Sequence, residues 1–358
     1  MAMMNQPLVS VVMVTRNVER FLGEAIESIL DQTFQKFEFI IVDFGSTDGS
    51  RDIAASYAAK DHRIIVSEIP QCGLAAARNA GCSLAKGDYI AIQDADDVSL
   101  PNRLMTEVEF SREHPEIGLV GSAIQRIDQN GKYLETVNNF PREDREIRQE
   151  LRKWNPFWQP TVLILREAFV KVGGYREALV QSEDYDLWVR VSEYYKCANL
   201  EQVLVKYRIH PGQLSARKRK EQILCSLAVQ ASVSLRQKMK IDPLDRAIQL
   251  TPTLLAEMGV SERAQRAGLA EGFLYWLREG YAKNEYDTVF EAGREIFQLR
   301  KGADMADFVS EARLIIAKTY WKQRRVVPGC FSFGRAMLGN PNVVKRALSS
   351  LWRLRGSV

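Results

Sequence analysis

The sequence predicts an α/β protein: a mostly parallel sheet with flanking helices, followed by an α-helical C-terminal region. Two observations carry this reading. Apolar, β-branched runs of strand length alternate with stretches of helical apolar spacing through the first hundred residues, and from residue 218 onward only the helical spacing continues. Strands separated by helices of about 10 to 15 residues imply right-handed βαβ units and a buried sheet. A chain of 358 residues exceeds an average single domain, and the change of pattern divides it into 1–217 and 218–358.

Taken in order, "LVSVVMV" (Leu8 to Val14) is the first strand, and Phe21, Leu22, Ala25, Ile26, Ile29 and Leu30 follow at helical spacing. "FEFIIVD" is the second strand. A helix around Ile53 to Ala59, a strand at Ile64 to Ile69, a helix at Leu74 to Ala85 and a strand at Asp88 to Gln93 continue the alternation. Beyond 217, "KRKEQILCSLAVQASVSLRQKMK" and the segments to 321 read as helices with breaks near Pro243, Pro252 and Gly259. "GYAKNEYDTVFEAGREIFQL" resembles one tetratricopeptide-type hairpin, but a single copy without a period is no repeat.

Composition narrows the function classes. With 46% hydrophobic and 26% charged residues the chain reads as an ordinary globular protein, and no apolar run reaches the roughly 18 residues of a membrane span. The start, "MAMMNQPLVSVV", lacks the pattern of a secretory signal, so the cytoplasm is the expected location. Cysteines at 72, 82, 197, 225 and 330 are odd in number and lack C-x-x-C spacing, which favours reduced thiols over disulfides or a zinc cluster. The net charge of +4 hides an asymmetry: ten Lys/Arg and no Asp/Glu follow Glu311. No nucleic-acid partner is expected.

In parallel sheets ligands bind beyond the carboxyl ends of the strands, so those ends are where chemistry is sought. Three are polar: Thr15-Arg16-Asn17, Asp43 to Gly49, and "QDADD" at 93–97. In the second, Asp43 closes a strand, Gly45 permits a tight turn, and Thr47 or Asp48 can cap the next helix. Alone, that turn reads equally well as an acidic cap. The third crowds Asp94, Asp96 and Asp97 together, which costs Coulomb energy unless a cation sits there or the groups fan into water. Mg²⁺ or Mn²⁺ would suit such oxygen ligands. Downstream, "QSEDYDLWVRV" puts Glu183 and Asp184 at the start of an apolar helix stripe, as first-turn acids or as a base. His210, one of three histidines, precedes a Pro-Gly turn, as a surface residue or as an imidazole within reach of a metal.

Together, "VSVVMVTRN", "QTFQKFEFIIVDFGSTDGS", "GLAAARNAG", "GDYIAIQDADD", "VGGYRE", "SEDYDLWVRV" and "YRIHPGQLS" resemble, in order, the signatures of family 2 glycosyltransferases. The resemblance runs from about residue 7 to 217. It implies the A-type glycosyltransferase (GT-A) fold, with a Rossmann-like sheet, and an inverting transfer of sugar from a nucleotide-diphospho-sugar donor. The acceptor would be a glycan, a lipid-linked or a protein hydroxyl in cell-surface polysaccharide or glycoconjugate synthesis. By the same resemblance, Asp94 and Asp96 of the D-x-D motif address the ribose and a divalent metal, Mn or Mg. Asp97 lies behind them, and His210 of the "R-x-H" element completes the coordination. Asp184 fits the general base and Glu183 its neighbour that fixes the loop or the acceptor. Asn155, Gln159 and Gly173-Gly174-Tyr175 fall where relatives shape the acceptor side.

Thr15, Arg16, Asn17, Asp43, Phe44, Asp48 and Arg78 are the remaining candidates for holding the nucleotide. Two of them depart from the family. Where relatives commonly read "VDDGSTDGS", with the second acid recognising the base, this chain has Phe44, and Arg16 replaces a frequent aromatic. Phe44 can stack on a base and Arg16 can donate to a carbonyl or phosphate, so a uridine donor does not follow. These departures lend weight to a rival, a nucleotide-sugar-binding protein without turnover that acts as an interaction module; the intact Asp94, Asp96 and Asp184 oppose it. A nucleotide-dependent dehydrogenase is disfavoured because no G-x-G-x-x-G follows the first strand. Finally, "VVKRALSSLWRLRG" reads as a basic amphipathic helix, suited either to packing on its own domain or to peripheral contact with an anionic membrane at the inner face of the cell.

Overall fold

The computed structural model describes residues 8–210, 218–300, 305–342 and 345. The candidate basic helix at the C-terminus therefore lies almost wholly outside the described residues. So does the stretch directly after His210.

Strand β1 (Val9–Thr15) pairs in parallel with β2 (Phe37–Asp43) and with β4 (Tyr89–Asp94), and β2 pairs in parallel with β3 (Ile64–Glu68). The order β3-β2-β1-β4 is the parallel half-sheet expected from the sequence. Every residue of β1 and β2 is buried, which is why both read as mostly apolar runs, the interior polar pair Ser10 and Glu38 hydrogen-bonding each other. On one face Val11, Met13, Phe39 and Ile41 pack on Leu22, Ile26 and Ile29 of α1 (Glu19–Leu30) and on Ala54 of α2 (Ser50–Ala58). On the other face lies α3 (Leu74–Leu84), where a Cβ on Gly81 would come within 2.6 Å of Val12 Cγ1.

The sheet becomes mixed beyond β4. Its order continues β4-β8-β6-β9-β5, built from β5 (Val98–Ser99), β6 (Ile117–Asp128), β8 (Leu163–Leu165) and β9 (Lys196–Ile209), with β7 (Tyr133–Val137) paired to β6. β8 runs antiparallel to both β4 and β6, whereas β6 and β9 are parallel. Helices α4 (Arg103–Glu113), α5 (Asp144–Glu150), α6 (Arg166–Lys171) and α7 (Glu183–Ser192) punctuate this half.

Residues up to Lys218 together with Ala228–Thr251 form one compact unit; Arg219–Leu227 with the residues from Pro252 on form a second. Helix α8 (Arg219–Met239) contributes to both. The stretch 228–251 belongs to the first unit through Asp242, which accepts from Ser232 Oγ at 2.6 Å and pairs with Arg176 and Arg236. The second unit contains α9 (Pro252–Glu257), α10 (Glu262–Lys283), α11 (Tyr286–Gln298), α12 (Ala306–Lys322) and α13 (Val326–Gly339). Phe273, Leu277, Val289, Ile296, Ile315 and their neighbours form its core.

Candidate active site

Sheet register brings the first set of candidates to one edge. Thr15 lies opposite Asp43, and Val14 opposite Asp94, so three strand ends share one side of the sheet. Asp43 is fully buried, and its Oδ1 accepts from Gly45 N, Ser46 N and Arg51 Nε at 3.0 to 3.1 Å. Burial alone would raise its pKa, but these bonds outweigh it and hold the carboxylate below its ordinary range. Gly45 turns the chain at φ 96°, a conformation glycine adopts without strain.

The loop after β1 is laced to this turn. Asn17, at φ 55°, accepts from Thr47 N at 2.8 Å and donates its own N–H to Ser46 Oγ. Asp48 accepts from Ser50 N through one oxygen and from Glu19 N through the other. Both residues are among the expected nucleotide contacts, and these atoms also tie the chain's own turns together. Arg16 and Phe44, the two departures from the family pattern, meet: the guanidinium carbon stands 5.8 Å from the centroid of the buried ring. Thr15 Oγ1 and Asp43 Oδ2, register neighbours, are buried with no hydrogen-bond partner among the described residues.

The acidic turn after β4 divides its labour. Asp97 is wholly buried and accepts from Arg208 N at 2.7 Å; burial, then Asp96 and Asp94, push its pKa well up. It holds the turn. Arg208 Nε reaches Asp96 O at 2.8 Å, and Gln93 Nε2 donates to the carbonyls of Asp94 and Asp97. Beneath the turn, Gln93 Oε1 accepts from Ser99 Oγ and from Arg103, which is paired with Glu107. Neither side chain of that pair is exposed. Asp94 and Asp96 are left facing outward, and His210 Nε2 lies 2.9 Å from Asp96 Oδ2.

Among the described residues no three His, Cys, Asp or Glu side chains form a ready coordination set. Asp96 and His210 instead present an oxygen and a nitrogen side by side, with Asp94 adjoining. Such an open donor set fits a hard divalent cation that keeps positions for phosphate oxygens and water.

Across from this turn, α7 begins directly after Ser182, whose φ of 66° is uncommon for a residue with a side chain. Arg78 of α3 joins the two sites, donating to Asp94 Oδ1 at 3.1 Å and to Glu183 Oε1. Arg78 is only 6% exposed, so it is a fixed positive charge between them. Burial outweighs Arg78 at Glu183 and pushes its pKa up to about 7. Burial also outweighs Arg78 and Asn155 at Asp184, leaving its pKa above the usual Asp value. Asn155 Nδ2 donates to Asp184 Oδ2 at 2.9 Å, Gln159 Nε2 donates to the Tyr175 hydroxyl, and Asn79 clasps the Tyr175 backbone through both its N–H and its carbonyl. Of the candidates expected on the acceptor side, Asn155 touches Asp184 directly, and the Tyr175 ring, whose hydroxyl Gln159 meets, lies 5.8 Å from the Arg78 guanidinium carbon.

Five participants were missed in the sequence. Gln93 and Arg208 stand inside quoted motifs, and their partners lie far off in the chain or in the backbone. Arg103 and Glu107, an i,i+4 pair buried in the fold, carry no motif that marks them in the sequence. Asn79, beside Arg78, gave no signal of its own.

Residues 10–173 match the model of glycosyl transferase family 2. A glycosyltransferase of Methanocaldococcus jannaschii, MJ1057, described as uncharacterized, is 38% identical over 210 residues, 58% of this chain and 72% of that one. The chain belongs to glycosyl transferase family 2. The O-antigen biosynthesis glycosyltransferase WbnJ of Escherichia coli is 31% identical to this family 2 enzyme over 211 residues, 57% of this chain and 80% of WbnJ. Among solved structures, the mannosyltransferase PcManGT from Pyrobaculum calidifontis, in complex with GDP-Man and Mn²⁺, overlays with a TM-score of 0.53 at 17% identity. That overlay covers 94% of this chain and 87% of PcManGT. The fold of this glycosyltransferase is GT-A, as the sequence predicted.

Proposed function

We propose that this enzyme transfers a sugar from a nucleoside diphosphate donor to an acceptor hydroxyl with inversion, by one in-line displacement, in cell-surface polysaccharide or glycoconjugate synthesis. WbnJ, named for O-antigen biosynthesis, and PcManGT, solved with GDP-Man and Mn²⁺, support that reading by analogy. The observation that carries it is Arg78, which ties Asp94 of the donor side to Glu183, the neighbour of Asp184.

The nucleotide lies across the ends of β1, β2 and β4, where the unpartnered Thr15 Oγ1 and Asp43 Oδ2 offer hydrogen bonds to the base. Asp96 and His210, with Asp94, would hold a divalent cation, which when bound would supply positive charge to offset that of the diphosphate leaving group. Arg78 keeps Asp94 and Glu183 in register. Asp184, oriented by Asn155, accepts the proton of the acceptor hydroxyl as its oxygen bonds to the anomeric carbon and the bond from that carbon to the diphosphate breaks. A pKa raised by burial makes Asp184 a stronger base than a solvated aspartate.

Asp184→Asn tests this. Donor binding, measured by calorimetry with each of the common nucleoside diphosphates, should persist while transfer to acceptor falls by roughly 10³-fold or more, at the upper end of general-base contributions. Unchanged transfer would remove Asp184 as base, and a chain that binds donor but never turns over would favour the binding-module reading.

A further inference from the structure

Helix α13 packs through one face and leaves the other bare. Phe333, Ala336 and Met337 meet Leu314, and Gly329 sits so near Trp321 that a Cβ would fall 2.3 Å from its indole nitrogen. Two residues round the helix the pattern reverses. Val327 is 80% exposed, Phe331 62% and Leu338 88%, a stripe at i, i+4 and i+11, with Val326 beside it. Three large apolar side chains this exposed on one helix face are a patch that water does not favour, in contrast to scattered single residues.

The charge around the stripe is of one sign. Lys322, Arg324 and Arg325 precede the helix, Arg335 lies within it, Lys345 follows, and all are exposed. Arg335 lays its guanidinium over the Phe331 ring at 4.4 Å. Burial, and after it the positive charges of Arg335 and Arg300, hold Arg313 below its usual pKa. The nearest acids are engaged elsewhere: Glu311 pairs with Arg278, and Asp307 accepts from Asn340. At 14 residues α13 is too short to cross a bilayer, and no described helix is long and apolar enough to do so.

We infer that the exposed face of α13 is a docking surface for an anionic membrane, with Val327, Phe331 and Leu338 entering the acyl boundary while the flanking cations meet lipid headgroups. An apolar stripe bordered by Lys and Arg with a stacked aromatic is what an interfacial helix presents to lipid. The surface shares no residue with the proposed catalytic groups, so its test does not depend on turnover.

Purified full-length enzyme is sedimented with extruded vesicles of phosphatidylcholine alone, or with about one third phosphatidylglycerol. Binding is expected to the anionic vesicles only and to decline as salt screens the headgroup charge. The double variant Phe331→Asp, Leu338→Asp should bind roughly tenfold more weakly or worse, since it removes two inserting side chains and adds two repelled charges. Arg324→Gln with Arg325→Gln, which leaves the stripe intact, should also weaken binding and serves if the first variant misfolds. Equal binding by all variants, or no vesicle binding by the native chain, overturns the inference. So does a concentration-dependent dimer that the Asp variant abolishes, which would assign the face to a second copy. A marked fall in melting temperature for the Asp variant with vesicle binding unchanged would assign it to the chain's own cover.

Discussion

Asn155 donates through Nδ2 to Asp184 Oδ2 at 2.9 Å, fixing one oxygen of the candidate base while Tyr185 N holds the other at 2.7 Å. A hydrogen bond to a carboxylate stabilises its charged form, so Asn155 works against the burial that raises the Asp184 pKa. Asn155→Ala should lower kcat about tenfold, the equivalent of one hydrogen bond to a charged group. It should also move the acid limb of the pH–rate profile to higher pH, because Asp184 without that donor protonates more readily. A profile that falls in height without shifting would mean Asn155 serves packing alone.

Arg78 is the only cation touching both Asp94 and Glu183 among the contacts described, and it is nearly buried. Removing it as Arg78→Met strands two carboxylates, which costs about 3 to 5 kcal/mol when both are ionised. Glu183 already titrates near 7, and loss of the cation raises it further. A carboxyl group with a raised folded pKa contributes its stability below its unfolded pKa and loses it as pH rises through the folded value. Urea unfolding of the variant should therefore show a larger deficit at pH 8 than at pH 5. Equal deficits at both would show that the carboxylates are not the source.

The sequence disclosed the parallel half-sheet because β1 and β2 are buried on both faces and so carry apolar side chains at nearly every position. It did not disclose β6, β8 or β9. β8 is apolar but only three residues long, too short to set a period, and β9 carries Glu201, Gln202, Lys206 and Arg208 along its 14, which break up its apolar stretches. The site followed the same division. Asp94, Asp96, Glu183 and Asp184 stood out by residue type and place, whereas the pairing of Arg78 with Glu183 spans 105 residues and exists only in the fold. Asp48 shows the reverse case, an acid that looked available and is fastened to two backbone N–H groups.

Asp242 makes a pH prediction of opposite sign. Burial, which raises its pKa, is outweighed by the Ser232 hydroxyl and by Arg176 and Arg236, leaving it at about 2. A carboxylate with a depressed folded pKa contributes stability above its unfolded value and loses it as pH falls through the folded one. The window is thus from about pH 4 down to about pH 2, and the contribution at neutral pH is on the order of 2 kcal/mol. Asp242→Asn should destabilise the enzyme by that order at pH 7 and by progressively less below pH 4. A deficit independent of pH would point to lost packing of residues 228–251.

The open pair formed by Asp96 and His210 predicts that nucleotide and cation bind together. Neither donor set is complete alone: the protein side offers few ligands, and a free diphosphate reaching these strand ends meets the carboxylates of Asp94 and Asp96. A nucleoside diphosphate should therefore raise the melting temperature strongly with Mn²⁺ or Mg²⁺ and weakly in a chelator. At a hundredfold excess over Kd the gain in stability is about 2.7 kcal/mol. Asp96→Ala and His210→Ala should each reduce the cation-dependent part. Asp43→Asn should instead lower affinity with cation present or absent, because it alters the buried, unpartnered carboxylate oxygen assigned above to the base. If the Asp96 and His210 variants keep the full cation-dependent shift, the cation sits elsewhere and the assignment of the D-x-D turn fails, while the base site is judged on Asp43 alone.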